Sequence, residues 1–269
     1  MTWLSLWLII TEAHGQDWQR QRKVIGTVFT ERTHQMAWKE ALQQARQMIA
    51  FWKGAGEIRS TAADSGMLAL NVLVSAGYGK SYAFKGSSEN TEDSQLTYRD
   101  SLGLILENAL LILALGPDLI SRITFPTRLA RIGQAIGAFK EYMTQDFEEA
   151  KNGIAEKCAA GENLMTNLVQ ASVAESDTGD GCRETSRRKA ALSRSEVFGN
   201  MFVFNFAGHD TTTHTLTYTF YLLAVNPSVQ DWMSEEIRHV FSDDDISSWK
   251  YDSFPRLNRC LAVLTRYEY

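Results

Sequence analysis

The chain has 269 residues, 44% hydrophobic and 22% charged, enough for one large domain with a sizeable core. A formal net charge of −5 leaves no global field for nucleic acid, and the basic run "RETSRRK" (residues 183–189) sits in a polar connector. The widely spaced Cys158, Cys182 and Cys260 build neither a disulfide framework nor a zinc-finger pattern.

In chain order, the N-terminal "MTWLSLWLII" is apolar over too short a run to span a bilayer and lacks the basic start of a signal peptide. Trp18, Val24, Ile25 and Val28 recur at helical spacing and predict a helix over residues 17–50. A second helix is predicted over residues 58–75, stopping at "GYGKSY". A third covers residues 96–115 and ends at Gly116-Pro117, a helix stop. Within it, residues 102–116 are apolar, but Glu107 and Asn108 interrupt the run. It reads as a buried or interfacial helix, with no transmembrane span. A fourth helix is expected over residues 128–155, and residues 174–194 read as a polar surface loop.

Ser193 and Glu196 form an S-x-x-E capping box, which satisfies two free amides at a helix start. The helix they open runs to Asn226-Pro227, about thirty residues and roughly 45 Å long. Asn226 is then placed to cap a following helix with Pro227 at its first position. Val229, Trp232, Met233, Ile237 and Val240 give that helix one apolar face. The fold class is therefore mainly α, with little β.

Inside the long segment lies "FNFAGHDTTTHTL". Its continuation alternates strictly, so a strand over residues 213–221 competes with a helix whose face is Phe202, Phe206, Thr213, Leu216, Phe220 and Leu223. In a helix, Gly208 costs about 1 kcal/mol relative to alanine. Two readings account for that cost. One is a tight helix crossing with satisfied threonines. The other is a groove, where glycine admits a ligand beside an acid, Asp210, and an alcohol, Thr211. A third reading makes His209, Asp210 and His214 ligands of a metal hydrolase, although histidines five apart do not share a helix face.

The string Ala207-Gly208-His209-Asp210-Thr211-Thr212 resembles the A/G-G-x-D/E-T-T/S motif of the cytochrome P-450 monooxygenases, set in the long helix that crosses the haem. "WQRQR" resembles the family's W-x-x-x-R motif, "NPSVQDWMSEEIRHVF" its next helix, and "FPRLNRCLAVL" the start of its K helix. The resemblance implies a single, incomplete domain of this fold over residues 1–269. It implies O2-dependent hydroxylation of a lipophilic small molecule, haem as cofactor, an NAD(P)H-dependent reductase as partner, and a place in secondary metabolism. Family members of this kind sit at the endoplasmic-reticulum membrane, although this chain shows no anchor.

Carried over by motif, Trp18 and Arg22 hold a haem propionate, and Ala207, Gly208 and Thr212 line the cofactor. Thr211 bonds the iron-bound oxygen, and Asp210 helps deliver protons. On spacing alone, Trp18 and Arg22 read as a core tryptophan beside a surface arginine. The family's F-x-x-G-x-x-x-C-x-G haem loop and K-helix E-x-x-R pair have no match. Glu235-Glu236-Ile237-Arg238 fits E-x-x-R only in the wrong helix. The expectation is a chain that is truncated and catalytically impaired, the alternative being a non-catalytic remnant that binds an apolar ligand or partner.

Overall fold

A computed structural model describes residues 14–85, 96–123, 125–155, 163–174, 192–241 and 245–265. The expected loop over residues 174–194 lies almost wholly outside these, as do Cys158 and Cys182. Every regular element among the described residues is helical. In order they are α1 (Gly15–Gly26), α2 (Glu31–Gly54), α3 (Thr61–Tyr78), α4 (Tyr98–Glu107), α5 (Ala109–Leu115), α6 (Pro117–Ile120), α7 (Thr127–Ala155), α8 (Leu164–Ala174), α9 (Arg194–Val225), α10 (Pro227–Val240) and α11 (Asn258–Thr265). Two short 3-10 segments, Ile246–Ser248 and Tyr251–Arg256, join the last two.

The predicted helix over residues 17–50 is divided. Thr27 donates its hydroxyl proton to the Val24 carbonyl at 2.7 Å. Thr30 then accepts from the Thr33 amide and starts α2 afresh. The predicted helix over residues 96–115 also breaks at Asn108, whose side-chain Nδ2 donates to the Leu104 carbonyl at 2.8 Å while its backbone N–H turns to the Leu106 carbonyl and closes α4. Its apolar run is split by burial too. Leu102, Ile105 and Ile112 are buried, while Leu110 is 77% exposed. Asn226 corrects a further expectation. Its side chain makes no cap to α10 and donates instead to the Leu222 carbonyl at the end of α9.

Helix α9 packs on α3, α3 packs on α2, and α4 packs on α7, which in turn meets α8. The core between these layers holds Tyr78, Tyr98, Leu102, Phe139, Leu168, Val197 and Met201. Polar side chains fasten α2 to α3 inside it. Asn71 donates to Gln44 at 2.8 Å, and Gln44 donates to Glu40 and to the Tyr82 carbonyl, both at 2.7 Å. These directional bonds between buried amides fix the register of the two helices, although the Asn71 Oδ1 atom stays without a partner among the described residues.

The 32-residue α9 is helical throughout, including the alternating stretch that competed as a strand. One face of this stretch is packed, with Thr217 and Thr219 buried and Phe220 against Trp52, so packing decides against local propensity. Its start is the predicted capping box. The Ser193 amide donates to Glu196 at 2.7 Å, and the Glu196 amide donates to the Ser193 hydroxyl at 3.3 Å. Glu196 also accepts from the Arg20 guanidinium and from Gln21 at 3.2 Å, which ties α1 to α9.

Burial alone would raise the Glu196 carboxyl, but the Arg20 and Ser193 hydrogen bonds outweigh it and hold the group below its ordinary value of 4.5. A carboxylate depressed by folding stabilises above its unfolded value and loses that contribution as pH falls through the folded one. Glu196→Ala should therefore lower unfolding free energy by about 2 kcal/mol near neutral pH. In denaturant titrations, the gap from wild type should narrow as pH drops below the ordinary carboxylate value.

Candidate functional site

Gly208 lies where α9 crosses α3. A Cβ built there would come within 3.0 Å of Leu73 Cδ2, so the missing side chain makes room for a neighbouring helix. The same face of α9 carries polar contacts to α3. Asn205 donates to the Tyr78 hydroxyl at 2.6 Å. His209 hydrogen-bonds the Gly66 backbone, and burial holds its imidazole below the usual histidine range. Thr213 sits 3.5 Å from the Cβ position of Gly66. Two turns beyond, Phe220 meets Trp52 edge-on. Gly208, Asn205, His209 and Thr213 thus serve the crossing.

The opposite face is open. Ala207, Asp210, Thr211, Thr212 and His214 are all exposed, as are Tyr218 (60%), Tyr221 (54%) and Val225 (73%) farther along. Residues 207, 211, 214, 218, 221 and 225 follow helical spacing, so they form one stripe that turns from polar to apolar. Thr211 donates its hydroxyl proton to the Ala207 carbonyl at 2.6 Å, and His214 Nδ1 lies 2.7 Å from the Asp210 carbonyl. Such back-bonds to the preceding turn compete with the helix ladder.

The metal-hydrolase arrangement does not assemble. His209 faces α3, while Asp210 and His214 stay on the open side, and no group of three His, Cys, Asp or Glu among the described residues can hold a metal.

Trp18 and Arg22 form a pair on α1, with the guanidinium 4.9 Å from the ring centroid. Trp18 is 43% exposed, so it is not the core tryptophan that spacing alone allowed. No hydrogen bond or ion pair among the described residues joins this pair to residues 207–212. The structure ties α1 to α9 through Arg20 and Gln21 on Glu196, and the connector after α1 through Phe29 against Phe204, with centroids 5.1 Å apart. The i, i+4 and i+8 spacing of Asn205, His209 and Thr213 is the sequence signal of the packed face, but spacing alone does not name α3 as its partner.

Cys260 is the one free cysteine among the described residues. Burial first, and then the neighbouring Glu236, pushes its thiol up to about 11, so it is protonated at neutral pH. Glu236 is committed at the start of α11, where it accepts from the Arg259 and Cys260 amides at 2.8 and 3.1 Å.

The cytochrome P450 family model matches residues 7–263. The chain belongs to the cytochrome P-450 family. Cytochrome P-450 monooxygenase 124 of Postia placenta is 28% identical over 267 residues, which is 98% of this chain and 48% of that protein. Cytochrome P-450 monooxygenase prx9 of Penicillium rubens is 28% identical over 218 residues, 77% of this chain and 36% of that protein. Among solved structures, the cytochrome P450DA haem domain superposes with a TM-score of 0.65 at 17% identity, covering 96% of this chain and 50% of that one. The chain therefore has the P-450 helical fold and spans about half the length of the relatives it matches. No helix among the described residues is long and apolar enough to cross a membrane.

Two substitutions separate the faces of α9. Gly208→Leu should cost about 1–3 kcal/mol by overpacking the crossing. Leu73→Ala should recover part of that loss in a double-mutant cycle read by thermal unfolding. Thr211→Val, on the open face, should change stability by less than about 0.5 kcal/mol.

Proposed function

We propose that the open stripe of α9 is one wall of a haem monooxygenase site, and that the protein it serves hydroxylates a lipophilic small molecule with O2. The observation that carries this is the exposure of Ala207, Asp210, Thr211 and Thr212 in the middle of a helix whose other face is packed. Exposed threonines that add nothing to packing need another reason to be there, and family membership supplies one.

The residues present fit the group on this side. Ala207 and Thr212 would lie against it, and Gly208 would act by seating α9 on α3. Arg22, with its guanidinium over Trp18 and no carboxylate partner among the described residues, is available for a propionate, for which its planar fork is suited. When bound, haem supplies the chemistry that activates oxygen. This chain's own part would be polar. Asp210 would hold and release protons at its carboxyl, and Thr211 would present its hydroxyl toward the open face by leaving the Ala207 carbonyl. The apolar end of the stripe, Tyr218 to Val225, suits a hydrophobic neighbour. A reductase drawing on NAD(P)H would be the electron source.

Cys260 is not assigned as an iron ligand, because it sits at the start of α11 and its sequence neighbours lack the glycine frame of the family's haem loop. The described residues would thus supply the α9 wall of the site and not the thiolate that ligates the iron.

Titration of the full chain with haem, followed by absorption spectroscopy, tests the reading. It predicts saturable uptake that Arg22→Ala and Ala207→Trp each weaken about tenfold, and no thiolate-type band with carbon monoxide after reduction. Uptake indifferent to both substitutions would sink the assignment of this face and leave a non-catalytic apolar-binding role. A thiolate-type band would overturn the view of Cys260.

A further inference from the structure

Away from α9, a second concave site lies between α2 and the 3-10 segment Ile246–Ser248. Trp38 and Leu42 form one side, Ile246 and Trp249 the other, and they bound about 210 Å3. That is below the roughly 300–1,000 Å3 typical of drug-sized ligands, so it suits a compact ring system. Both indoles are held in place before any ligand arrives. Trp38 Nε1 donates to the Trp249 carbonyl at 3.0 Å, and its ring meets Tyr251 and Phe254 edge-on. Trp249 lies flat on Phe241, with centroids 4.2 Å apart. A preformed aromatic wall spares a ligand the cost of ordering it.

The rim is cationic. Lys39, Leu42 and Arg46 stand at i, i+3 and i+7 on α2, so one helix face presents apolar surface flanked by two positive heads. Apart from Arg22 on α1, the cations elsewhere that lie over aromatic rings are paired with carboxylates: Lys80 with Asp146, Lys85 with Asp64, Arg99 with Asp100, Arg194 with Glu148 and Arg259 with Glu235. Lys39 and Arg46 have no such partner among the described residues, and no acidic residue lines the cavity.

We propose that this cavity is a binding site for a small aryl carboxylate, its ring against Trp38 and Trp249 and its carboxylate on Arg46 and Lys39. Flat apolar walls select the ring by stacking, and the arginine fork selects a planar anion over a neutral isostere. The site is separate from the stripe on α9 and does not depend on haem.

Isothermal titration of the full chain with β-naphthoate, without added haem, tests it. One equivalent should bind, and the neutral β-naphthamide should bind about tenfold more weakly. The paired substitutions Lys39→Gln and Arg46→Gln, both on exposed positions, should weaken naphthoate by a similar factor with an unchanged circular dichroism spectrum. Leu42→Trp, which fills the cavity, should abolish binding. Equal affinity for the acid and the amide, full binding by the doubly substituted protein, or no saturable heat at millimolar ligand would each overturn the proposal. If Leu42→Trp does not fold, the exposed charge substitutions still decide the matter.

Discussion

The crossing of α9 over α3 is the constraint from which the rest of the structure follows. Gly208 lets Leu73 approach, His209 and Asn205 bond across the interface, and Thr213 fills the space beside Gly66. Once that side of α9 is committed, helical geometry sends residues 207, 210, 211 and 214 to the other. The candidate site is therefore a consequence of packing. A rod that keeps one polar face dry and bonded can leave the other face open without losing its place.

Several partly buried charge contacts hold the layers in register around this crossing. Glu196 joins the start of α9 to α1, and the Lys80–Asp146 pair at 2.7 Å sits beneath the rings of Tyr98 and Tyr142. Burial raises the Asp146 carboxyl while Lys80 opposes the shift. Breaking such a pair on one side strands a desolvated charge, which costs more than the pair itself contributes. The pairs thus act as locks on arrangement more than as sources of stability.

Much of this was legible in the sequence, for identifiable reasons. The capping box at Ser193 and Glu196, the Asn226-Pro227 stop and the spacing of apolar residues are local rules, and they placed α9 and α10 closely. Breaks at Thr27 and Asn108 were missed because each depends on a single side chain turning back to a carbonyl, which apolar periodicity does not register. In the candidate site the motif carries no sign of how its six residues divide between two faces. That division depends on where α3 lies, a non-local fact. His209 reads from the sequence only as a candidate metal ligand for the same reason: its packing role appears only once Gly66 is beside it.

Chemical modification of histidine tests the two-faced account of α9 most directly. Diethyl pyrocarbonate should label the exposed His214 quickly in the haem-free chain and the half-buried His209 slowly. Added haem should protect His214 and leave His209 unchanged, as read by peptide mass spectrometry. Rapid labelling of His209, or a His214 indifferent to haem, would contradict the assignment of the packed and open faces.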